Sequence, residues 1–255
     1  MQNIFGDYMS SRTDLAIEDF EEKEKYPVDR IISGMRLRKC IVDKNASKRI
    51  HKKEGEYYSI DNLNYFKKDN IIIKLISSII YDMINKMKKI ESVLIVGLGN
   101  PSITPDSLGP RALKQIEVNR HLENEKRFII SAITPGVMGQ TGMESSDIIK
   151  AIVDDFKPDL VVVIDALACN RLERICKSIQ FGSSINPGSG IYNNRKELSK
   201  ETLGCDVIAI GIPTVCDLKT IMDIDDSYFI TTNDIDQAMD ILSGIVAKGI
   251  NKAFI

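Results

Sequence analysis

Apolar residues change their spacing along this chain, and the changes divide it into elements. Between Val28 and Ser59, in "RIISGMRLRKCIV" and "GEYYSI", apolar and polar positions alternate, which predicts strands. The basic stretch between them, "KNASKRIHKKEG", reads as a solvated turn region. From residue 70 to 90 the spacing becomes helical, with Ile72, Leu75, Ile76, Ile79, Ile80, Met83, Ile84 and Met87 on one face. After that helix come short uninterrupted apolar runs, "SVLIVGLGN", "FIISAITPG", "PDLVVVIDALA" and "DVIAIGIPT". They alternate with the helix-forming segments "LGPRALKQIEVNRHL" and "TGMESSDIIKAIVDDF", and the chain closes on "TTNDIDQAMDILSGIVAKGINKAF", a capped amphipathic helix. Val/Ile runs that alternate with helices are the mark of parallel strands buried on both faces. The expected fold class is therefore α/β, a three-layer α/β/α sandwich with a mostly parallel central sheet, plus an N-terminal β-rich segment.

In such sheets functional groups gather beyond the carboxyl ends of the strands. Asp165 stands directly after Val161-Val162-Val163-Ile164, where a carboxylate is unfavourable unless it is solvated, hydrogen-bonded or functional. Asp106 lies in the loop after the first run, before "SLGPRALKQI". Taken singly, each also reads as a loop or helix cap. As a pair over one sheet edge, two aspartates push their proton affinities apart, so that one is ionised while the other is protonated. The ionised one can take a proton from water and the neutral one can give a proton to a leaving amine, which suits hydrolysis of an amide. Asp217, after "GIPTVC", is a weaker third strand-end carboxylate.

Two further segments offer contacts to a substrate. In "TPGVMGQTGMESSDI", Gly136, Gly139, Thr141 and Gly142 can bring backbone amides to a bound peptide, although capping of the next helix by Thr141, Ser145 or Ser146 explains the same residues. In "NPGSGIYNNRKELSKETLG", Gly188, Ser189, Arg195 and Lys196 can meet an acidic substrate, or form an exposed charged loop.

Composition narrows the chemistry. With 34 basic and 36 acidic residues, a net charge of −2 favours neither nucleic acid nor membrane as a partner. No signal peptide or membrane span is read, and the protein is expected in the cytosol. Five cysteines without a Cys-x-x-Cys pair read as reduced, mostly buried residues. Two histidines, His51 and His121, and no Gly-x-Ser-x-Gly or His-Glu-x-x-His leave no support for a serine or cysteine triad or a catalytic zinc, so no metal or cofactor is expected. "GLGNPS" is neither a dinucleotide nor a Walker loop. "VGLGNP" is similar to the opening of peptidyl-tRNA hydrolases, but their catalytic histidine has no counterpart in "SITPDSLGPR".

Several long motifs in one order, "VGLGN…TPDSLGP", "TPGVMGQTGMES", "VVVIDALA", "NPGSG…NNRKELSKETLG" and "VIAIGIPTV", resemble the germination proteases of endospore-forming bacteria. "RTDLAIE" and "SKRIHKKEGEYYSI" extend the likeness over nearly the whole chain. The resemblance implies an endopeptidase that degrades small acid-soluble spore proteins during germination, in the cytoplasm of the forespore and spore core. It implies a fold related to hydrogenase-maturation endopeptidases, catalysis by the aspartates matching Asp106 and Asp165, and a homo-oligomer, a tetramer in the family. It also gives the polar N-terminal stretch "SSRTDLAIED" a purpose. The family is made as a zymogen that removes its own N-terminal segment, with cleavage after an acidic residue that precedes a hydrophobic one and alanine. Asp14-Leu15-Ala16 fits, which makes residues 1–14 a propeptide and 15–255 a single α/β endopeptidase domain. The alternatives are a relative that binds spore proteins without cutting them and a maturation-type protease. The chain departs from the family between Ile221 and Tyr228, where "MDIDDS" replaces a longer insertion, and this weakens the expectation of a tetramer.

Overall fold

The computed structural model describes residues 13–19, 26–50, 52–122, 127–185, 196–220, 222 and 228–255. In chain order the elements are α1 (Ala16–Asp19), β1 (Val28–Ile32), β2 (Met35–Val42), α2 (Lys44–Ile50), β3 (Gly55–Asp61), α3 (Asp69–Ile84), β4 (Ser92–Gly97), α4 (Leu108–Leu113), β5 (Ile129–Ile133), α5 (Met138–Thr141) and α6 (Ser145–Phe156). They continue with β6 (Leu160–Cys169), β7 (Ser178–Gly182), β8 (Ser184–Ile185), β9 (Leu198–Ser199), α7 (Lys200–Leu203), β10 (Asp206–Asp217), β11 (Phe229–Ile230) and α8 (Ile235–Phe254).

The apolar runs become the centre of one sheet, in the order β1-β2-β3-β7-β10-β6-β4-β5. The four strands β10, β6, β4 and β5 run parallel, and β7, β3, β2 and β1 extend the sheet in antiparallel steps. The N-terminal β-rich segment is thus a wing of the central sheet. Alternate residues of the parallel strands face opposite layers. Val93, Ile95, Val162, Ile164, Ile208 and Ile210 join one core cluster with α3, α4 and α8, while Leu94, Val96, Val161, Val163 and Val207 join another with α6 and α7. The result is the expected α/β/α sandwich.

Three local expectations need correction. The basic stretch after β2 is not a turn region at its start but the helix α2, because the Asp43 side chain accepts the backbone N–H groups of Asn45 (2.9 Å) and Ala46 (2.8 Å), and Ala46 and Ile50 bury one face. The helix expected over "LGPRALKQIEVNRHL" stops at Leu113; further on, the Asn119 and Arg120 amides donate to the Ile130 carbonyl, which ties this stretch to β5. The caps also differ. At α6 the N-cap is Glu144 and no side chain caps the helix; Ser145 donates instead to the Gly136 carbonyl (2.8 Å), and Thr141 accepts from the Met143 amide (3.2 Å). Asp234, at the start of α8, makes no side-chain cap bond either.

All five cysteines are free thiols, four of them buried. Among the described residues no helix is long and apolar enough to cross a membrane.

Candidate active site

Asp165 lies in the second half of β6 and is 5% exposed; its Oδ1 accepts the Ala166 amide at 2.9 Å. β6 pairs with β4 up to Gly97–Ile164, and the Leu98 amide then donates to the Ile164 carbonyl at 2.9 Å, so the end of β4 runs directly beside Asp165. From there the chain turns through Gly99 and returns in a 3₁₀ turn, Thr104–Asp106. Asp106, half-buried, closes that loop by accepting the Asn100 amide on Oδ2 at 2.8 Å.

Small residues allow this closure. A Cβ on Gly97 would sit 2.6 Å from the Gly109 carbonyl oxygen, and one on Gly109 would sit 2.4 Å from that of Leu98, so two glycines let the start of α4 press onto the end of β4. Gly99 holds φ at +114° with the Asp106 carbonyl where its Cβ would be. Thr104 donates to Asp236 at the start of α8 (2.9 Å), and Arg111 of α4 pairs with Asp240, which anchors the loop from outside. The 3₁₀ turn packs against both β6 and β10, so the structure brings Asp106 and Asp165 to one end of adjacent strands.

The glycine-rich loop joins the same end. Gln140 donates to the Asn100 side chain at 2.9 Å, linking α5 to the loop that carries Asp106. Gly136 (φ +77°) and Gly142 (φ +71°) bracket α5, and a Cβ built on Gly139 would meet open space. Asp217 sits apart from the pair, at the far end of β10 beside β11, and accepts the Lys219 amide at 3.0 Å. Gly188, Ser189 and Arg195 lie outside the described residues. The neighbouring Lys196 is exposed and pairs with Asp147 at 2.7 Å.

The N-terminal segment lies on this end of the sheet. The Asp14 amide donates to the Ala168 carbonyl (3.0 Å) and the Ala168 amide donates back to Asp14 Oδ2 (2.8 Å), so residue 14 docks on β6 three positions beyond Asp165. From β7, Gln180 accepts the Ala16 amide on Oε1 (2.6 Å) and donates through Nε2 to the Asp14 carbonyl (3.3 Å). Lys52 donates to the Thr13 carbonyl at 2.6 Å. Leu15 and Ala16 are fully buried.

Farther along, Glu18 accepts the Asn170 amide (2.8 Å) and pairs with Arg174 (3.2 Å), while Arg174 also pairs with Asp61 (2.6 Å). Burial pushes the Asp61 carboxyl up, but Arg174 and Arg38, with hydrogen bonds from Arg38 and Ser178, outweigh it and hold it below its ordinary range. Beyond Ile17 opens a cavity of about 420 Å³ whose walls include Tyr26, Arg38, Asp61, Arg171 and Arg174.

Gln180, Arg174 and Asp61 were not legible as site residues from the sequence. One signal was present: in "SIQFG" polar and apolar residues alternate, and Ser178 and Gln180 are both buried opposite Ile179 and Phe181.

The family model of the germination proteases matches residues 8–231. A germination protease from a Geobacillus species is 41% identical over 242 residues, covering 83% of this chain and 65% of its own length. One from Caldanaerobacter subterraneus subsp. tengcongensis is 40% identical, with 82% and 70% covered, and one from Bacillus subtilis is 40% identical, with 82% and 64% covered. The chain thus spans about two thirds of the length of these relatives. Among solved structures, the NiFe hydrogenase maturation protease HycI from Thermococcus kodakarensis KOD1 aligns with 68% of this chain and 98% of its own, at 18% identity and a TM-score of 0.40.

Proposed function

The chain belongs to the germination protease family, and on that premise we propose that it is an endopeptidase that degrades small acid-soluble spore proteins during germination, working in the cytoplasm of the forespore and spore core. It is made as a zymogen whose residues 1–14 are removed by its own cut between Asp14 and Leu15, leaving 15–255 as one α/β endopeptidase domain. Asp106 and Asp165 carry out the hydrolysis, and the mature protein assembles as a homo-oligomer.

The observation that carries this reading is the docking of Thr13–Glu18. A segment with an acid, a leucine and an alanine in sequence lies against the carboxyl end of β6, the strand that bears Asp165. Asp14 meets β6 through one backbone hydrogen bond and one to its carboxylate, just before the chain turns into α1, and Leu15 and Ala16 are buried beyond it. While it stays there, the segment occupies the place of a substrate, and the enzyme is held off.

In the cutting step the ionised aspartate takes a proton from water as the water attacks the carbonyl carbon of the acidic residue, and the protonated aspartate gives its proton to the leaving amine. The experiment is to incubate the purified protein with a small acid-soluble spore protein beside folded Asp106→Asn and Asp165→Asn variants, and to read fragments and N-termini by mass spectrometry. Wild type should cut after acidic residues and both variants should be silent. A variant that cuts as fast as wild type would remove its aspartate from the mechanism.

A further inference from the structure

We propose that Gln180 grips the peptide bond to be cut and that its side-chain N–H stabilises the oxyanion formed there. The inference rests on reading Thr13–Glu18 as a substrate-like segment.

β7 lies between β3 and β10, and its Ile179 and Phe181 are core residues. Gln180 points to the opposite face and is 9% exposed, so its amide must be satisfied within the protein. Both ends are. The Ala16 amide is a donor and bonds Oε1 at 2.6 Å, and the Asp14 carbonyl is an acceptor and faces Nε2 at 3.3 Å. These two partners fix the orientation of the amide, because neither can accept the flipped group. The contacts straddle the Asp14–Leu15 bond, one on its carbonyl oxygen and one on the next amide along.

The sheet register places Asp165 opposite this grip. Gly211 of β10 pairs with Asp165 on one side and with Gln180 on the other, so the two side chains leave the same face of the sheet. Their strands are two spacings apart, roughly 10 Å. The docked segment is held from both: β6 binds Asp14 through Ala168, and β7 binds it through Gln180.

The step balances without any further group. The water oxygen forms a bond to the Asp14 carbonyl carbon, the carbonyl π pair moves onto oxygen, and the ionised aspartate takes the water proton. The charge on that oxygen meets the Gln180 N–H. The pair then returns, the C–N bond breaks, and the Leu15 nitrogen leaves with the proton of the neutral aspartate. A neutral amide donor already in place needs no reorganisation when charge develops, and removal of one such donor slows comparable reactions by about 10²–10³-fold.

The test uses the full-length chain and two readouts: the first-order rate of Asp14–Leu15 cleavage by mass spectrometry, and hydrogen exchange at the Ala16 amide. Gln180→Glu keeps the acceptor for Ala16 and loses the donor to Asp14. It should hold Ala16 protection within a few-fold of the uncleaved wild-type chain and cleave about 10²-fold slower. Gln180→Leu, which loses both, should lose the protection and the cleavage together. Cleavage within a few-fold of wild type in either folded variant, while Asp106→Asn and Asp165→Asn are silent, overturns the role of Gln180 and leaves the aspartates standing. Cleavage that continues in an aspartate variant strikes the proposed function, whatever Gln180 does. Unchanged Ala16 protection in Gln180→Leu overturns the grip itself.

Discussion

Asp165 and Gln180 leave the same face of the sheet two strands apart because Gly211 pairs with both. A side chain at 211 would enter space that Leu167 already fills: a Cβ would lie 2.2 Å from Leu167 Cδ1 and 2.6 Å from its Cγ. Gly211→Ala is therefore expected to lower stability by about 1–3 kcal/mol, the usual range for overpacking a filled core. It should also slow cleavage, because Leu167 lies between Asp165 and Ala168 on β6. Urea unfolding checks the first and processing of the full-length chain the second. An unshifted unfolding midpoint would show that Leu167 gives way freely.

Gly99 tests the loop that sets Asp106. At φ +114°, a Cβ would lie 1.9 Å from the Asp106 carbonyl oxygen and 3.1 Å from its Oδ1. Gly99→Ala must open the loop, break the hydrogen bond from the Asn100 amide to Asp106, and displace the carboxylate. Backbone strain of this kind costs about 1–3 kcal/mol. Processing should fall as far as it does in Asp106→Asn, with most of the secondary structure kept by circular dichroism. Full activity in Gly99→Ala would show that the position of Asp106 is not critical.

The layer order was legible in the sequence because it follows from a strong local pattern, continuous Val/Ile runs for buried parallel strands, but Asp165, read as standing just beyond its strand, lies within β6, which the run of apolar residues after it carries on to Cys169. The basic segment after β2 was misread because charge density hid a short cap signal in Asp43 and two buried residues, Ala46 and Ile50. The helix from Leu108 was overextended because apolar spacing continued through Ile116, while tertiary bonds to Ile130 decided the backbone. Gln180 and Arg174 escaped notice because their partners, Asp14, Glu18 and Asp61, lie far from them along the chain. No local pattern encodes a contact that only the sheet order creates.

The buried ion network under the N-terminal segment should make stability depend on pH in a defined direction. Asp61 is held below its ordinary range in the folded state, against about 3.9 when unfolded. Its contribution is then fully present above roughly pH 4–5 and is lost as pH falls through the folded value. Asp61→Asn leaves Arg38 without this partner and Arg174 with Glu18 alone, and removal of one member of a buried pair costs about 3–5 kcal/mol. The stability gap between wild type and Asp61→Asn, measured by urea unfolding, should shrink between pH 5 and pH 3. A gap that stays constant or widens would contradict the assignment.

The thiols should behave as core groups. Burial pushes Cys176 up to about 12 and Cys205 up to about 11, and raises Cys169 as well. At pH 8 each of these is almost wholly protonated, and thiolate is the reactive form. With a thiol reagent at that pH, only the partly exposed Cys205 should react at a measurable rate in the folded protein, and all five should react after denaturation. Rapid labelling of Cys169 or Cys176 in the native state would mean that the interior opens there.

Cleavage between Asp14 and Leu15 should itself unseat the segment. In the intact chain the Leu15 nitrogen is a neutral amide that donates to Thr13 Oγ1 at 3.1 Å, inside a residue with no exposed surface. After the cut this nitrogen is an amine, protonated below roughly pH 8, and Thr13 is no longer tethered beside it. A buried ammonium without partners is strongly disfavoured, so the new end should leave the sheet while Glu18 stays paired with Arg174. Hydrogen exchange at pH 6 should therefore show Ala16 protected in the intact chain and at least about tenfold less protected after processing, with less change beyond Glu18. Equal protection in both forms would mean that the amine is accommodated where it lies and that the cut does not clear the site. If the loss is seen, the bond that is cut is also the latch: the neutral amide holds the segment on β6 and β7 beside Ala168 and Gln180, and hydrolysis replaces it with a charge that the same place cannot keep.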